Sequence, residues 1–185
     1  NKNNNSSLGE KEIRAALAMA INKEEIITEI FKGAGQVAHG PILKNNFAYK
    51  DDAISHYYNR DEAASVLADK ELKIKLTVID NNQNINVANK IKDYWQAAGV
   101  TVEVEVISLE QAAEVIKNRQ FEALLYGQQV GGDPDVYAFW HSTQTGARGL
   151  NFAGYSNKEV DALLQTARSS NVLEERITNY HKFQE

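Results

Sequence analysis

Asp133 and Asp135, set on either side of Pro134, are the residues of this chain whose type and spacing come nearest to chemistry. Two neighbouring carboxylates suit general acid–base work, one accepting a proton while the other donates. A plainer reading is stronger. Asp133 caps a helix, Pro134 takes its first position, and Asp135 complements the N-terminal dipole. Gln128, Gln129, Val130, Gly131 and Gly132 come just before this pair, and Phe139 and Trp140 just after. Such a set would line a crevice. No nucleophile motif accompanies it: the chain has no Gly-x-Ser-x-Gly elbow, no phosphate-cradling Gly-x-x-x-x-Gly-Lys and no Gly-x-Gly-x-x-Gly after a strand.

His39, His56, His141 and His181 are scattered, with no partner four residues away to make a metal pair. The absence of cysteine excludes disulfides, thiol catalysis and cysteine-held metals. The expectation is a binding surface with no catalytic residue, no metal and no cofactor.

Positioning that surface falls to the segment before it. Phe121, Ala123, Leu124, Leu125 and Tyr126 form a near-continuous apolar run, which suits a buried central strand better than an edge. Ligands of open α/β sheets collect at the carboxyl ends of strands, and residues 127–132 leave from such an end. Two further strands announce themselves by alternation. Leu72, Ile74, Leu76 and Val78 alternate with Lys73, Lys75 and Thr77, and Val102, Val104 and Val106 with Thr101, Glu103 and Glu105. Between them a helix carries Val87, Ile91, Trp95 and Ala98 on one face and closes at Gly99. Ser108-Leu109-Glu110-Gln111 has capping-box spacing and opens a helix bearing Ala112, Ala113 and Ile116.

The order is βαβαβ, so the fold class is α/β, with a mostly parallel sheet flanked by helices and joined by right-handed crossovers. The strand at Phe121 is expected in the centre, between those at Leu72 and Val102. Lysines on one strand and glutamates on the next could pair across it, each pair contributing a few tenths to about 1 kcal/mol. A charged face of this kind implies that one side of the sheet is partly open to water.

Around this unit the pattern is helical. Ile13, Leu17, Ala20 and Ile21 share one face of a first helix. Asn22 and Glu25 have capping-box spacing for a second, which buries Ile26, Ile27, Ile30 and Phe31 and ends at Gly33. No period survives over residues 34–58, where Gly40-Pro41 is the firmest turn signal. A run that long without structure is usually functional or wraps a partner lobe. Asn59 and Glu62 cap a helix with Ala63, Val66 and Leu67. After the turn at 146–149 and the segment 150–155, a helix capped at 156–159 buries Val160, Leu163, Leu164 and Ala167. A last helix begins at 171–174 and runs to Gln184.

At 185 residues, 43% hydrophobic and 24% charged, the chain suits one soluble domain, or one with an appended lobe. A net charge of −5, with no Lys/Arg run, argues against nucleic acid as a partner. No apolar stretch has the length of a membrane span. The polar start without methionine and the uncapped stop at Gln184-Glu185 suggest a piece cut from a longer protein.

In order and spacing, the motifs of nearly the whole chain resemble the C-terminal lobe of family 5 bacterial extracellular solute-binding proteins. These are the oligopeptide-, dipeptide- and nickel-binding receptors of ABC importers. The resemblance is carried by Ile13-Arg14-Ala15-Ala16-Leu17-x-x-Ala20-Ile21-Asn22 with Ile26-Ile27 and Gly33, by Gly40-Pro41, and by the helix at 59–67. It continues through Trp95-x-x-x-Gly99-Val100-x-Val102, Phe121-Glu122-Ala123 and the Asp133-Pro134 loop. Asn157-x-x-Val160-Asp161-x-Leu163-Leu164 and Arg176-x-x-x-Tyr180-x-x-x-Gln184 complete it.

The resemblance implies one lobe of a periplasmic-binding-protein-like (type II) fold, spanning residues 1–185 of a longer two-lobed chain. Such a receptor sits outside the cytoplasm, periplasmic or lipid-anchored, and closes over a peptide or other small solute before delivering it to permease subunits. Tyr126, Gln128, Gln129, Val130, Gly131, Asp133, Trp140 and Asn151 would contribute to the ligand-binding wall. In peptide-binding relatives an aspartate three residues before the Asp-Pro pair holds the ligand's α-amino group; here that position is Val130. Gln128 and Gln129 would then serve as neutral donors and acceptors for a peptide backbone or a sugar-like ligand. The alternative is a sensory domain of the same fold attached to a transcription regulator or signalling protein. An export signal and lipobox upstream would favour the importer, and a helix-turn-helix the regulator.

Overall fold

The helices form where apolar spacing and capping residues place them. The structure, a computed structural model, describes residues 1, 3–53 and 57–185. His56, one of the four histidines noted above, lies outside the described residues. Two compact units divide the chain, Asn1–Val37 with His56–Gly127 and Ala38–Ser55 with Gln128–Glu185.

In the first unit, α1 (Lys11–Met19) buries Ile13, Ala16 and Leu17. Next comes α2 (Lys23–Glu29), where the Asn22 side chain accepts the Glu25 amide at 3.1 Å. Gly33 follows at φ +79°, the left-handed conformation that ends helices. The cap of α3 (Arg60–Leu67) is Asn59, which accepts from the amide of Glu62 at 3.1 Å. The parallel unit then runs β1 (Lys73–Ile79), α4 (Asn82–Ala97), β2 (Thr101–Ile107), α5 (Leu109–Lys117) and β3 (Ala123–Leu125). Ser108 and Gln111 close the expected capping box on α5.

One core gathers α1, α3, α4 and the inward face of the sheet. Trp95 is its keystone in α4. Its indole is buried, and its Nε1 donates to the Leu17 carbonyl at 2.9 Å, fastening α4 to the end of α1.

The sheet order corrects one expectation. Among the described strands the order is β2-β1-β3, so β1 is central and the strand after Phe121 lies at an edge. It is also short: only Ala123, Leu124 and Leu125 pair, opposite Leu76, Thr77 and Val78. Phe121 is buried beneath the strand's start without belonging to it. Of the apolar run only Phe121 is buried; Ala123, Leu124 and Leu125 are half-buried and Tyr126 is exposed, as an edge strand allows. On β1, by contrast, Ile74, Leu76 and Val78 are buried on one face and Thr77 on the other.

Charge pairing across the polar face occurs one step off register. Lys75 stands opposite Glu103, yet its Nζ reaches Glu105 at 3.2 Å. Thr77, the residue opposite Glu105, donates its hydroxyl to the same carboxylate at 2.9 Å. With side chains 40% and 34% exposed, Lys75 and Glu105 face water as the alternation implied.

The second unit comprises the segment 38–53, the single-turn α6 (Tyr137–Trp140), α7 (Lys158–Ser169) and α8 (Leu173–Gln184). Its core is built from Ile42, Ala48, Val136, Val160, Leu164, Ala167 and Tyr180. The segment without period is held by a side chain far away in sequence. Gln184 is buried, donates to the Ala48 carbonyl at 2.8 Å and accepts the Lys50 amide at 3.3 Å. No helix of the described residues is long and apolar enough to cross a membrane.

Candidate functional site

In the second unit the 130–136 loop and the segment after Gly40 enclose a recess of about 190 Å³. Pro41, Ile42, Leu43, Asn45 and Asn46 form one side, and residues 130–134 with Val136 the other. Asn46 joins the two, its Nδ2 donating to the Gly132 carbonyl at 2.8 Å while its Oδ1 accepts the Ala48 amide at 3.1 Å. Ile42, buried at the base, anchors the first side.

Asp133 does not cap a helix, which corrects the sequence expectation. The helix starts later, at Tyr137, and its N-cap residue, Val136, has no side-chain cap. Asp133 instead makes an Asx turn, its Oδ1 accepting the Asp135 amide at 2.9 Å. Both of its oxygens also accept from Nη2 of Arg176, at 2.7 and 2.8 Å. The Arg176 guanidinium thereby holds the Asp133 carboxyl below the usual carboxylate range. Asp135 repeats the pattern: its Oδ1 accepts the Tyr137 amide at 3.1 Å, and it pairs with Arg168 at 3.3 Å. Arg168 also covers the Tyr137 ring at 4.3 Å, and that ring stacks on His141 at 4.1 Å. The two aspartates are thus each taken by an arginine from α7 or α8, an arrangement for shaping a loop.

Ser142, His141 and Asp161 lie together, but not as a nucleophile and its base. The Ser142 hydroxyl donates to Asp161 Oδ2 at 2.6 Å and its amide to Oδ1 at 2.8 Å, while His141 Nδ1 is 3.8 Å from Asp161 and 2.9 Å from the Thr143 hydroxyl. Burial pushes the Asp161 carboxyl up, and the two Ser142 hydrogen bonds outweigh it, so the group titrates below its ordinary value. A carboxyl depressed in the folded state stabilises it fully above the unfolded value, near pH 4, and that contribution fades as pH falls through the folded value. Asp133 has the same sign. Acid titration of Trp95→Phe, in which Trp140 is the sole tryptophan, followed by fluorescence, should therefore show the second unit loosening below about pH 4. In Asp161→Asn that part of the acid dependence should be absent.

The sequence candidates separate into three groups. Val130, Gly131 and Asp133 line the recess. Gln128 and Gln129 are exposed in the loop leading to it, and Tyr126, 42% exposed, belongs to the first unit just after β3. Trp140 and Asn151 serve packing. Trp140 meets Tyr155 edge-on at 5.9 Å and Phe183 at 6.4 Å. Asn151 is buried, donates to the carbonyls of His141 at 3.2 Å and Tyr155 at 2.9 Å, and accepts the Tyr155 amide at 3.0 Å. Arg176 and Asn46 were missed as site residues. Arg176 stood in a quoted motif, but nothing in its spacing points 43 residues back to Asp133.

A second, more open hollow in the first unit lies among Glu29, Lys32, Asn86, Asn89, Lys90 and Asp93. Its Lys90 is held by Glu25 and, at 2.8 Å, by Glu29, which raises its pKa. Among the described residues no group of three or more His, Asp or Glu side chains is arranged to hold a metal ion.

A parallel α/β sheet with flanking helices, shared with many solved binding proteins, makes this a periplasmic-binding-protein fold of type II. The chain belongs to the bacterial extracellular solute-binding proteins, family 5, whose "Middle" profile matches residues 1–150. It is 27% identical over 186 residues to the oligopeptide-binding protein AppA of Bacillus subtilis (strain 168), covering 89% of this chain and 34% of that protein. Two solved structures share the fold. DppA from Helicobacter pylori, in complex with the peptide STSA, superposes with a TM-score of 0.91 at 20% identity, over 99% of this chain and 37% of that one. NikZ from Campylobacter jejuni, in complex with Ni(L-His), does so at 0.86 and 22% identity, over 98% and 40%. The chain therefore spans about a third of the length of the curated relatives it matches.

Proposed function

We propose that this chain is the C-terminal lobe of a receptor that captures a peptide or similar small solute outside the cytoplasm and releases it, chemically unchanged, to the permease subunits of an ABC importer. The observation that carries this reading is the open recess made by the loop following β3 and the segment after Gly40, in a family of solute-binding proteins. Relatives named for oligopeptides, dipeptides and Ni(L-His) support a small polar solute as the cargo class. The receptor works in the periplasm or tethered to the cell envelope by a lipid. The rest of the receptor supplies the opposite wall, because small-ligand sites bury most of the ligand surface.

Calorimetry on the full-length protein with an oligopeptide mixture, the dipeptide Met-Leu and Ni(L-His)2 tests this. Saturable one-to-one binding of one of them, with the solute recovered intact, is expected. The isolated 1–185 chain should bind the same solute at least about a hundredfold more weakly, since half a site leaves the ligand in water. Comparable affinity for the fragment and the full receptor would sink the two-wall account. Conversion of the solute would point to an enzyme.

A further inference from the structure

We propose that Glu122 is a positioning residue for ligand binding, setting through β3 the place of Tyr126, where the ligand wall begins; this rests on the receptor reading above. The strand between them is short. Only Ala123, Leu124 and Leu125 pair with β1, and the chain leaves the sheet at Tyr126. Three paired residues at a sheet edge hold their register weakly, and a slip of one residue turns every following side chain to the opposite face. Ala123 and Leu125 meet the first core only half-buried, so packing alone opposes such a slip little.

Side chains hold the start of the strand, carrying on the ladder where main-chain pairing stops. Lys75 precedes Leu76, the first β1 residue paired with β3, and its amide donates to Glu122 Oε2 at 2.9 Å. The same oxygen accepts from Nδ2 of Asn5 at 3.0 Å, and that Nδ2 also reaches the Lys73 carbonyl at 2.8 Å. The Phe121 carbonyl, just ahead of Glu122, accepts from Asn4 Nδ2 at 2.9 Å. A carboxylate thus stands where a strand carbonyl would, and the hold on β1 reaches back to residue 73. Hydrogen bonds to an ionised acceptor are stronger than those between neutral groups, and both bonds to Glu122 are partly buried. From Glu122 the pleat carries the register to Tyr126, since each residue of an extended strand has one face and one partner. Glu122 acts from the end of β3 opposite to the wall, without touching the ligand.

Glu122→Ala, Glu122→Gln and Glu122→Asp in the full-length protein separate positioning from general stability. The oligopeptide mixture, Met-Leu and Ni(L-His)2 are titrated into each by calorimetry, well below the unfolding temperature. Amide hydrogen exchange is followed over residues 101–107 and 123–126. Trp95→Phe, which loosens the same unit through α4, is the control. Glu122→Ala should weaken binding of the probe that the wild-type protein takes by at least about tenfold. Exchange over 123–126 should quicken by a similar factor while that over 101–107 does not. Gln keeps an acceptor oxygen at the same reach and should recover most of the affinity, whereas Asp, one methylene shorter, should not. Trp95→Phe should lose stability and keep affinity. An equal loss of affinity in Trp95→Phe and Glu122→Ala would reduce Glu122 to a stability residue and overturn the proposal. So would wild-type affinity in Glu122→Ala, unchanged exchange over 123–126, or a failure of Gln to restore what Ala loses. The receptor reading stands in each of these cases, because the wild type still binds. If none of the three probes binds the wild-type protein, that reading falls, and the positioning role falls with it.

Discussion

Trp95→Ala should lower the unfolding free energy of the first unit by about 3–5 kcal/mol, the range for truncating a buried aromatic. The indole is 7% exposed and its removal leaves a cavity among α1, α3 and α4, which rigid helix packing closes only in part. The Leu17 carbonyl, at the far end of the 2.9 Å bond from Nε1, also loses its side-chain donor. Trp95→Phe, which keeps most of the area and drops the hydrogen bond, should cost about 1–2 kcal/mol. Urea denaturation followed by far-UV circular dichroism measures both. The chain has two tryptophans, so in either variant the remaining fluorescence comes from Trp140 and reports the second unit alone. A loss below about 1 kcal/mol for the alanine variant would mean that α4 is not fastened to α1 through this side chain.

Asn151→Ala should cost the second unit about 2–4 kcal/mol, although it removes only an amide. That amide bridges the ends of the 141–155 loop. It donates to the carbonyls of His141 and Tyr155 and receives the Tyr155 amide, all at 3.2 Å or less and with the side chain 1% exposed. Alanine would leave buried backbone groups unpaired, and an unmet buried donor or acceptor carries a full desolvation penalty. Nearby Gly149 tightens the same loop, since a Cβ there would lie 1.8 Å from the Gln144 carbonyl oxygen. Denaturation followed by fluorescence in a Trp95→Phe background, where only Trp140 emits, is the measurement. If Asn151 were a direct ligand contact with no scaffold duty, affinity would fall and stability would not. An unchanged midpoint would therefore refute the scaffold assignment.

These two residues show where local pattern suffices and where it does not. Trp95 was placed on the buried face of a helix from its spacing with Val87 and Ile91, and all three are buried there. Asn151 entered as a ligand contact through the family resemblance, and an asparagine in a glycine-rich segment has no period that marks it as buried. Its satisfaction comes from backbone carbonyls that only the folded loop brings within reach.

Read from the sequence alone, the chain declared most of its helices, its caps at Asn22, Asn59 and Ser108, a cap within residues 156–159 that the structure assigns to Asn157, and the βαβαβ order. Each rests on interactions between residues at most four apart, or on a period along one element, so neighbouring letters carry them. The family was legible too, because its motifs are spread along the chain in a fixed order. Tertiary structure decided which strand is central, since strand order depends on crossovers, and apolarity at Phe121 speaks only of burial. It decided that Lys75 answers Glu105 in place of the directly opposite Glu103. It also turned Asp133 from a helix cap into the partner of Arg176, and Asn46 into the link between the two sides of the recess. Those contacts join residues 43 and 86 positions apart, where no local spacing constrains the partner and only the packed second unit brings the side chains together.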